Sequence, residues 1–301
     1  MNTGQKIVAF TSVVAVLGAV VVVVVAASDN DEVGRTPLSV SASPPSEGTI
    51  RIAAAGDIAN GDCCDDLTAT LISAMDPDAV LTLGDNQYDD GALGDYLDDY
   101  DHTWGAFKGR THPAPGNHDY HTSGAAGYFE YFGERAPGEY YTFVLGDWRL
   151  FSMNNYASVN EQTAWLTSTL ESDEHTCELA YWHEPRWSSG SHHGSNVDVQ
   201  PWWSAAVNGG IDIVLNGHEH EYERFAPLDA EGSVDTTAGT RQFIVGTGGR
   251  DLYDFDTAIT GSEIRLVEHG VLFLHLAPRS YQWEFRNASG AVLDSGSTRC
   301  V

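Results

Sequence analysis

The chain has 301 residues, which is enough for one large domain with a sizeable buried core or for two small domains. Its 43 acidic residues outnumber 15 lysines and arginines, so the formal net charge is −28 at pH 7. This charge argues against nucleic acid and anionic membrane surfaces as partners. It is typical either of an acidic secreted surface or of a protein from a saline environment.

The amino-terminal residues 1–27 are predicted to direct export. An apolar run over residues 7–27 follows Lys6 and the amino terminus, and it is long enough to span a bilayer. The small residues at its end would also permit cleavage before Ser28. The segment is therefore a signal peptide or a membrane anchor acting through residues 7–27. In both cases we expect the protein to be secreted or held on the outer face of the cell membrane.

Two regions follow the apolar segment. Residues 28–48 are rich in serine, proline and acidic groups and poor in large apolar residues, which predicts a disordered linker. In residues 49–301, apolar runs alternate with helical patterns, and we expect one domain there. No internal repeat and no glycine-rich dinucleotide or nucleotide-binding loop occurs in the sequence.

The first half of the domain has the rhythm of βαβ units. The expected elements are a strand over 50–55, a helix over 66–75 capped by Asp65 or Asp66, a strand over 79–83, and a helix over 93–107. Strands that alternate with helices predict a parallel or mixed sheet.

The second half adds a hairpin, two helices and further strands. The hairpin is expected over 140–145 and 148–153, the helices over 161–170 and 201–207, and the strands over 177–182, 211–215, 243–245, 271–277 and 281–285. Pro201 suits the first turn of its helix.

Polar side chains follow five of the apolar runs. They are Asp57; Asp85 with Tyr88; Asn117, His118 and Asp119; His183; and His218 with His220. In open α/β sheets, ligand groups gather at the carboxyl ends of the strands. His218 and His220 are two residues apart, so that an extended backbone would point both imidazoles into one cavity. These clusters together predict a metal site.

Four cysteines offer disulfide bonds to an exported chain. They are Cys63, Cys64, Cys177 and Cys300, which allow three ways of forming two bridges. A bridge between the adjacent Cys63 and Cys64 would be strained and is not expected. Cys177 is expected to pair with Cys64 or with Cys300. No Cys-x-x-Cys spacing occurs, so these cysteines are not expected to bind zinc.

The sequence resembles the calcineurin-like metallophosphoesterases, and within them the purple acid phosphatases. The motifs that carry the resemblance, which extends over residues 50–249, are Gly56-Asp57, Gly84-Asp85-Asn86-Gln87-Tyr88, Gly116-Asn117-His118-Asp119, His183 and Gly217-His218-Glu219-His220. The resemblance is to the compact form without an amino-terminal β-sandwich. It implies an α/β four-layer sandwich (α/β/β/α) with two mixed central sheets, so that 49–301 would be the catalytic domain.

One position indicates the branch of the superfamily. Many relatives have Asp-x-His in the first motif, but here the third residue is Ala59. Tyr88, three residues after Asp85, offers a phenolate in its place, which suits ferric iron. The resemblance then implies a binuclear centre of Fe(III) and a divalent ion (zinc, manganese or iron). The first metal would be bound by Asp57, Asp85, Tyr88 and His220, and the second by Asp85, Asn117, His183 and His218.

The implied reaction is hydrolysis of phosphate monoesters of small molecules by hydroxide generated at the two ions. His118 would donate a proton to the leaving group, and Asp119 would orient its imidazole. His192 and His193 would contact substrate together with Asn117, with His192 favoured as the one that faces the metals and stabilises charge. Arg250 is expected in a surface salt bridge rather than on phosphate.

Two alternatives to a phosphomonoesterase stay open. One is phosphodiesterase or nucleotidase activity within the same superfamily. The other is a surface protein that binds metal or phosphate without turnover, although a protein that only binds has no need of a proton donor such as His118.

Overall fold

The computed structural model describes residues 48–61, 63–172 and 175–301, which belong to one compact unit. The predicted export segment 1–27 lies outside the described residues, as does the predicted linker apart from Gly48. No helix in the described part of the chain is long and apolar enough to cross a membrane.

The described strands form two mixed sheets. The strands are β1 (Ile50–Ala55), β2 (Ala79–Leu83), β3 (Thr111–Ala114), β4 (Tyr141–Leu145), β5 (Trp148–Ser152), β6 (Cys177–Tyr181), β7 (Ile213–Asn216), β8 (Tyr222–Phe225), β9 (Arg241–Val245), β10 (Ser262–Leu266), β11 (Gly270–Ala277), β12 (Ser280–Asn287) and β13 (Val292–Arg299). The six-stranded sheet has the order β13-β12-β11-β1-β2-β3, and the seven-stranded sheet has the order β10-β8-β9-β7-β6-β5-β4.

The predicted site residues come directly after strands that are parallel to their neighbours. β1, β2 and β3 are parallel in the first sheet, and β5, β6, β7 and β9 are parallel in the second. Antiparallel strands complete both sheets. The carboxyl ends of the parallel strands therefore share an edge within each sheet.

The α-helices cover the outer faces of the sheets. They are α1 (Asp65–Met75), α2 (Leu93–Asp98), α3 (Ala126–Phe132), α4 (Val159–Glu171) and α5 (Gln200–Gly209). Side chains alternate along β6: Leu179 lies in the core that includes Ile52 of the first sheet, whereas Ala180 lies in a second core with Trp202 of α5. Such alternation on a strand buried on both faces makes the layers of a sandwich. The predicted α/β four-layer architecture is confirmed.

Two expectations about the first half are wrong in detail. The single helix expected over 93–107 is replaced by α2 and two 3₁₀ helices, Tyr100–His102 and Trp104–Arg110. An aromatic cluster accounts for the break, because Tyr96 and Tyr100 both pack against the ring of Tyr131 in α3. Tertiary packing thus overrides the local helical pattern.

The start of α1 also differs from the expectation. Neither Asp65 nor Asp66 caps the helix; the residue at that position is Cys64, with no capping side chain. The carboxylate of Asp65 instead accepts a hydrogen bond from the Thr103 hydroxyl, 2.8 Å away. The remaining helices and strands of the sequence-based prediction occur within a few residues, whereas α3, β8, β10 and β13 were not predicted.

The disulfide bonds are Cys177–Cys300 and Cys63–Cys64. The first is one of the two pairings expected for Cys177. The expectation that Cys63 and Cys64 stay unbridged is wrong. Their turn precedes α1, and Cys64 takes a left-handed backbone conformation there with φ of 85°.

Candidate metal centre

Three predicted ligands have an unusual backbone conformation. Asp57, Asp85 and His218 follow β1, β2 and β7 and have φ of 59°, 46° and 72°. Positive φ is disfavoured for residues with a side chain, and it tends to occur where a site requires it. Each residue follows a glycine, and the sharp turn directs its side chain across the sheet edge. Hydrogen bonds hold this arrangement, because the His218 amide donates to Asp57 Oδ2 at 2.9 Å.

Four donor atoms form the first cluster. Tyr88 Oη lies 3.0 Å from Asp57 Oδ1, 3.0 Å from Asp85 Oδ2 and 3.2 Å from His220 Nε2. The Asp57 and His220 atoms are 3.3 Å apart. All four side chains are at most 4% exposed. These are the residues predicted for the first metal.

Four donor atoms also form the second cluster, and Asp85 Oδ2 belongs to both. His183 Nε2 lies 3.3 Å from Asp85 Oδ2, 3.1 Å from Asn117 Oδ1 and 3.1 Å from His218 Nδ1. The ligand atoms of Asp85, His183 and His218 all lie within 4.8 Å of one another. All seven residues predicted as metal ligands therefore come together around one shared carboxylate.

The donor set fits cations. His183 Nδ1 donates to the Leu83 carbonyl at 2.8 Å, and His220 Nδ1 donates to the Asp251 carbonyl at 2.6 Å. Because a carbonyl only accepts, each Nδ1 holds a proton, and each Nε2 faces the other donor atoms of its cluster with a lone pair when the imidazole is neutral. Buried lone pairs that face one another need a positive charge between them. Carboxylate, phenol, amide and imidazole donors suit iron, zinc and manganese.

The pKa shifts of these side chains also indicate a site for a cation. Burial, with Asp57 and Asp85, raises the pKa of Tyr88 well above its usual value. Burial and the neighbouring imidazoles lower the pKa of His218 to about 2. Although burial opposes it, the attraction of Asp85 raises the pKa of His183 to about 10, which means that the cluster favours a positive charge beside Nε2, whether a proton or a metal ion supplies it. Tyr88 can therefore ionise in this site only beside a strong cation.

His118 lies at the rim of the first cluster. Its ring centroid is 4.2 Å from that of Tyr88, and its Nδ1 bonds the Asp89 carbonyl at 2.6 Å. The carbonyl accepts, so Nδ1 has the proton and Nε2 is free to exchange one with a bound molecule. The His118 amide also donates to Asp85 Oδ1 at 2.8 Å.

The predicted orienting role of Asp119 is wrong, because the His118 ring bonds Asp89 instead. Asp119 is fully buried. One of its oxygens accepts from the Tyr96 hydroxyl at 2.5 Å, and the other from the Gly116 amide at 2.8 Å and from Asn86. Asp119 therefore binds the two motif loops to each other. Burial and the neighbouring Asp85 raise its pKa to about 6.

The adjacent histidines differ in their contacts. The ring of His193 stacks on His218, with centroids 4.0 Å apart. The ring of His192 lies farther out, stacked on Tyr253 at 4.2 Å. The preference for His192 as the ring nearest the metals therefore changes to His193. Both rings are exposed at the mouth of the centre.

Sequence reasoning missed two further residues of the site. Tyr253 stacks on His220 with centroids 4.0 Å apart, and no motif indicated it. Glu219 accepts hydrogen bonds at Oε1 from the amides of His193, at 2.6 Å, and Gly194. The sequence feature that could have indicated Glu219 is its place between the two histidines of the last motif.

Arg250 has two contacts at the rim. It pairs with Asp89 at 3.4 Å, as the expected salt bridge, and its guanidinium also lies 4.8 Å from the Tyr88 ring centroid. The second contact was not foreseen.

Two mixed sheets with donor clusters at their strand ends define a metal-dependent hydrolase of phosphoesters. The model of the calcineurin-like phosphoesterase family matches residues 50–222. The chain therefore belongs to the calcineurin-like phosphoesterase family. No curated protein sequence matches it.

Solved structures with the same fold include three of different kinds. Purple acid phosphatase PPD1 from yellow lupin (Lupinus luteus) seeds is 20% identical, with a TM-score of 0.60 over 83% of this chain and 53% of that chain. GAP50, the anchor in the inner membrane complex of Plasmodium, is 14% identical, with a TM-score of 0.65 over 85% and 90%. A dimetal phosphatase from Danio rerio is 12% identical, with a TM-score of 0.61 over 85% and 100%. The chain thus spans about half the length of the lupin protein, and these likenesses concern the fold.

Proposed function

We propose that the protein is a phosphatase of the acid phosphatase type, which hydrolyses small phosphate monoesters at a centre of Fe(III) and a divalent ion (zinc, manganese or iron). The observation that carries this proposal is the place of the Tyr88 hydroxyl among the donor atoms of Asp57, Asp85 and His220. Tyr88 is also bound to the first motif, because its amide donates to the Ala59 carbonyl at 2.8 Å. A tyrosine thus stands beside the position where other branches have a histidine ligand.

The charge of the site supports the choice of metals and substrate. A buried phenol between two carboxylates is ionised most readily by a trivalent ion. Ferric and divalent ions together outweigh the charges of Asp57, Asp85 and an ionised Tyr88. The remaining positive charge attracts a phosphate group. When bound, the two ions would activate water and neutralise the phosphoryl oxygens.

The residues around the centre have separate tasks in this proposal. Asn117 and His193 contact phosphoryl oxygens beside the second donor cluster, and His192 extends that wall outward. His118 protonates the leaving oxygen from Nε2, since the Asp89 carbonyl holds its Nδ1 proton in place. Asp119 supports His118 indirectly, because its carboxylate accepts a hydrogen bond from the Gly116 amide and so holds the loop that carries His118.

The test is hydrolysis of an aryl phosphate by protein loaded with iron and zinc, beside a bis-aryl phosphodiester and a nucleoside monophosphate. The monoester should be the best of the three by kcat/KM. A higher value for the diester or the nucleotide would assign the phosphodiesterase or nucleotidase alternative. No turnover of any of them, with both metals shown to be bound, would leave a binding protein without catalysis.

The place of action is a further part of the proposal. The Cys177–Cys300 bridge supports an oxidising compartment, and the apolar residues 7–27 support export. We place the protein outside the cytoplasm, secreted or attached to the membrane through residues 7–27. Fractionation of cells that produce the full chain tests this, and a soluble cytoplasmic protein with reduced cysteines would contradict it.

A further inference from the structure

Three glutamates lie in the segment that holds the last predicted metal ligands. The rings of His218 and His220 belong to the donor clusters, whereas the carboxylates of Glu219 and Glu223 contact the loop 188–194, and Glu221 lies between these two glutamates in the sequence. All three glutamates, here called the glutamate cluster, are completely buried, at 0% exposure. Buried carboxylates are costly unless they are paired with a cation or fully hydrogen-bonded.

The two outer glutamates hold the loop 188–194. Glu219 Oε1 accepts from the amides of His193 and Gly194. Glu223 Oε2 accepts from the Ser189 amide at 2.8 Å, and its Oε1 accepts from the Ser262 hydroxyl at 2.5 Å. These contacts explain why Glu223 and one oxygen of Glu219 tolerate burial.

The middle glutamate has no such partners. Both carboxylate oxygens of Glu221 are buried without a hydrogen-bond donor, as is Glu219 Oε2. The neighbouring charges that act most strongly on Glu221 are Glu219 and Glu223, followed by Arg265 and Asp254. Arg265 is exposed, and its guanidinium lies 5.8 Å from the centroid of the Phe255 ring. Among the described residues it forms no ion pair with the cluster.

We propose that the glutamate cluster binds a structural calcium ion, with both oxygens of Glu221 and Oε2 of Glu219 as ligands. Calcium takes oxygen ligands, including bidentate glutamate, in flexible geometry. A site that offers carboxylate oxygens and no nitrogen ligands therefore suits calcium. The ion would be a third metal of the chain, chemically distinct from the two ions that phenol, imidazole and carboxylate donors would hold in the catalytic centre.

An ion in this position would affect two loops at the opening of the metal centre. Loop 188–194 is held by Glu219 and Glu223, and it pairs in turn with the segment around Phe255 through Gly190. The ion would therefore brace the loop that holds His192 and His193 and the segment that holds Tyr253. Its removal should loosen both loops without removing a ligand of the catalytic centre.

The test is calcium binding by the metal-loaded full chain after dialysis against calcium-free buffer. Calorimetric titration with calcium chloride at about 0.15 M NaCl, where surface attraction is screened, should show one site per chain. Saturating calcium should raise Tm by several degrees, because a ligand that binds only the folded state stabilises it. Total metal analysis should rise by one calcium per chain.

Glu221→Gln keeps the shape of the side chain and removes its charge. It should weaken calcium binding at least tenfold and abolish the Tm shift, while its Tm without calcium is not lower than that of the wild type. Glu130→Gln, an exposed glutamate of α3, is the matched control and should bind calcium like the wild type. Equal weak binding by all three proteins, with no Tm shift, would overturn the proposal and leave Glu221 as a buried neutral acid. Neither readout depends on phosphatase activity.

Discussion

The hydroxyl of Tyr88 lies 3.0 Å from Oδ2 of Asp85, the carboxylate oxygen common to both donor clusters. A phenol and a carboxylate this close together in a buried site could both bind one cation, which would favour the ionised phenol. Both residues belong to the second motif and are three positions apart. Tyr88 is therefore the position at which the identity of the first metal can be tested.

Tyr88→Phe should remove the colour of the iron-loaded oxidised protein. A tyrosine phenolate bound to Fe(III) absorbs in the visible range by charge transfer, and phenylalanine has no oxygen to bind. The measurement is a visible spectrum at known iron content. Tyr253→Phe is the control, since its ring stacks on His220 without belonging to the donor set. A wild-type protein that holds ferric iron and is colourless would refute the iron-tyrosinate assignment.

His118→Asn should lower kcat by about 10²–10⁴-fold, the usual contribution of a positioned proton donor. The loss should be larger for an alkyl phosphate than for an aryl phosphate, because a phenolate leaves more easily without protonation. His102→Asn, at an exposed position, should leave both rates unchanged. Equal losses on both substrates would show that His118 does not protonate the leaving group.

Glu219→Ala should raise KM by roughly tenfold, through the lost hydrogen bonds to the loop that presents His193 (about 1–1.5 kcal/mol). Glu219→Gln retains an oxygen that can accept from the same amides, so that it should recover most of the affinity. Steady-state kinetics on one monoester gives the comparison. An unchanged KM in the alanine variant would remove the positioning role.

Replacement of Cys177 and Cys300 by serine should lower the free energy of unfolding by about 2–5 kcal/mol, because the bridge closes a long loop in the unfolded chain. The two cysteines are 123 residues apart. Serines at Cys63 and Cys64, whose bridge spans adjacent residues, should cost far less. Denaturant titration of both double variants under oxidising conditions measures the difference, and equal losses would contradict the loop-entropy explanation.

Asp212 should make stability depend on pH on the acidic side of neutrality. Burial raises the pKa of Asp212 to about 6, although its carboxylate accepts from the amides of Glu178 and Val301. A carboxyl whose pKa is higher in the folded state stabilises the fold below its unfolded pKa. That stability is lost as the pH rises through about 6.

The wild type should therefore lose about 1–3 kcal/mol of this contribution between pH 4 and pH 6, over and above the changes that it shares with Asp212→Asn. Denaturant unfolding of the two proteins across this range isolates the difference. Parallel pH profiles would show that Asp212 does not titrate there.

Local patterns predicted most of the strands and helices, and they indicated the seven residues whose donor atoms come together. Apolar runs followed by Gly-Asp, Gly-Asn-His or Gly-His-x-His predict strands that end in donor residues, because parallel strands bring their carboxyl ends to one edge. The spacing of Asp85 and Tyr88, with alanine at position 59, was readable from the chain alone. The sequence could not distinguish His192 from His193, since neighbouring residues differ only in the direction that their loop gives them.

The sequence by itself determined the family motifs, the alternation of strands and helices and the seven candidate donor residues, because these depend on residue types that follow regular elements at short range. The two central sheets were implied by the family resemblance. Only the tertiary structure decided what lies between distant segments. In the structure Asp119 bonds the amide of Gly116 and not the His118 ring, the expected helix 93–107 is interrupted where its tyrosines pack on Tyr131, and both carboxylate oxygens of Glu221 are buried without a hydrogen-bond donor. Such contacts arise from the packing of two sheets, where burial and the partners available to each polar atom are set by residues far away in the chain.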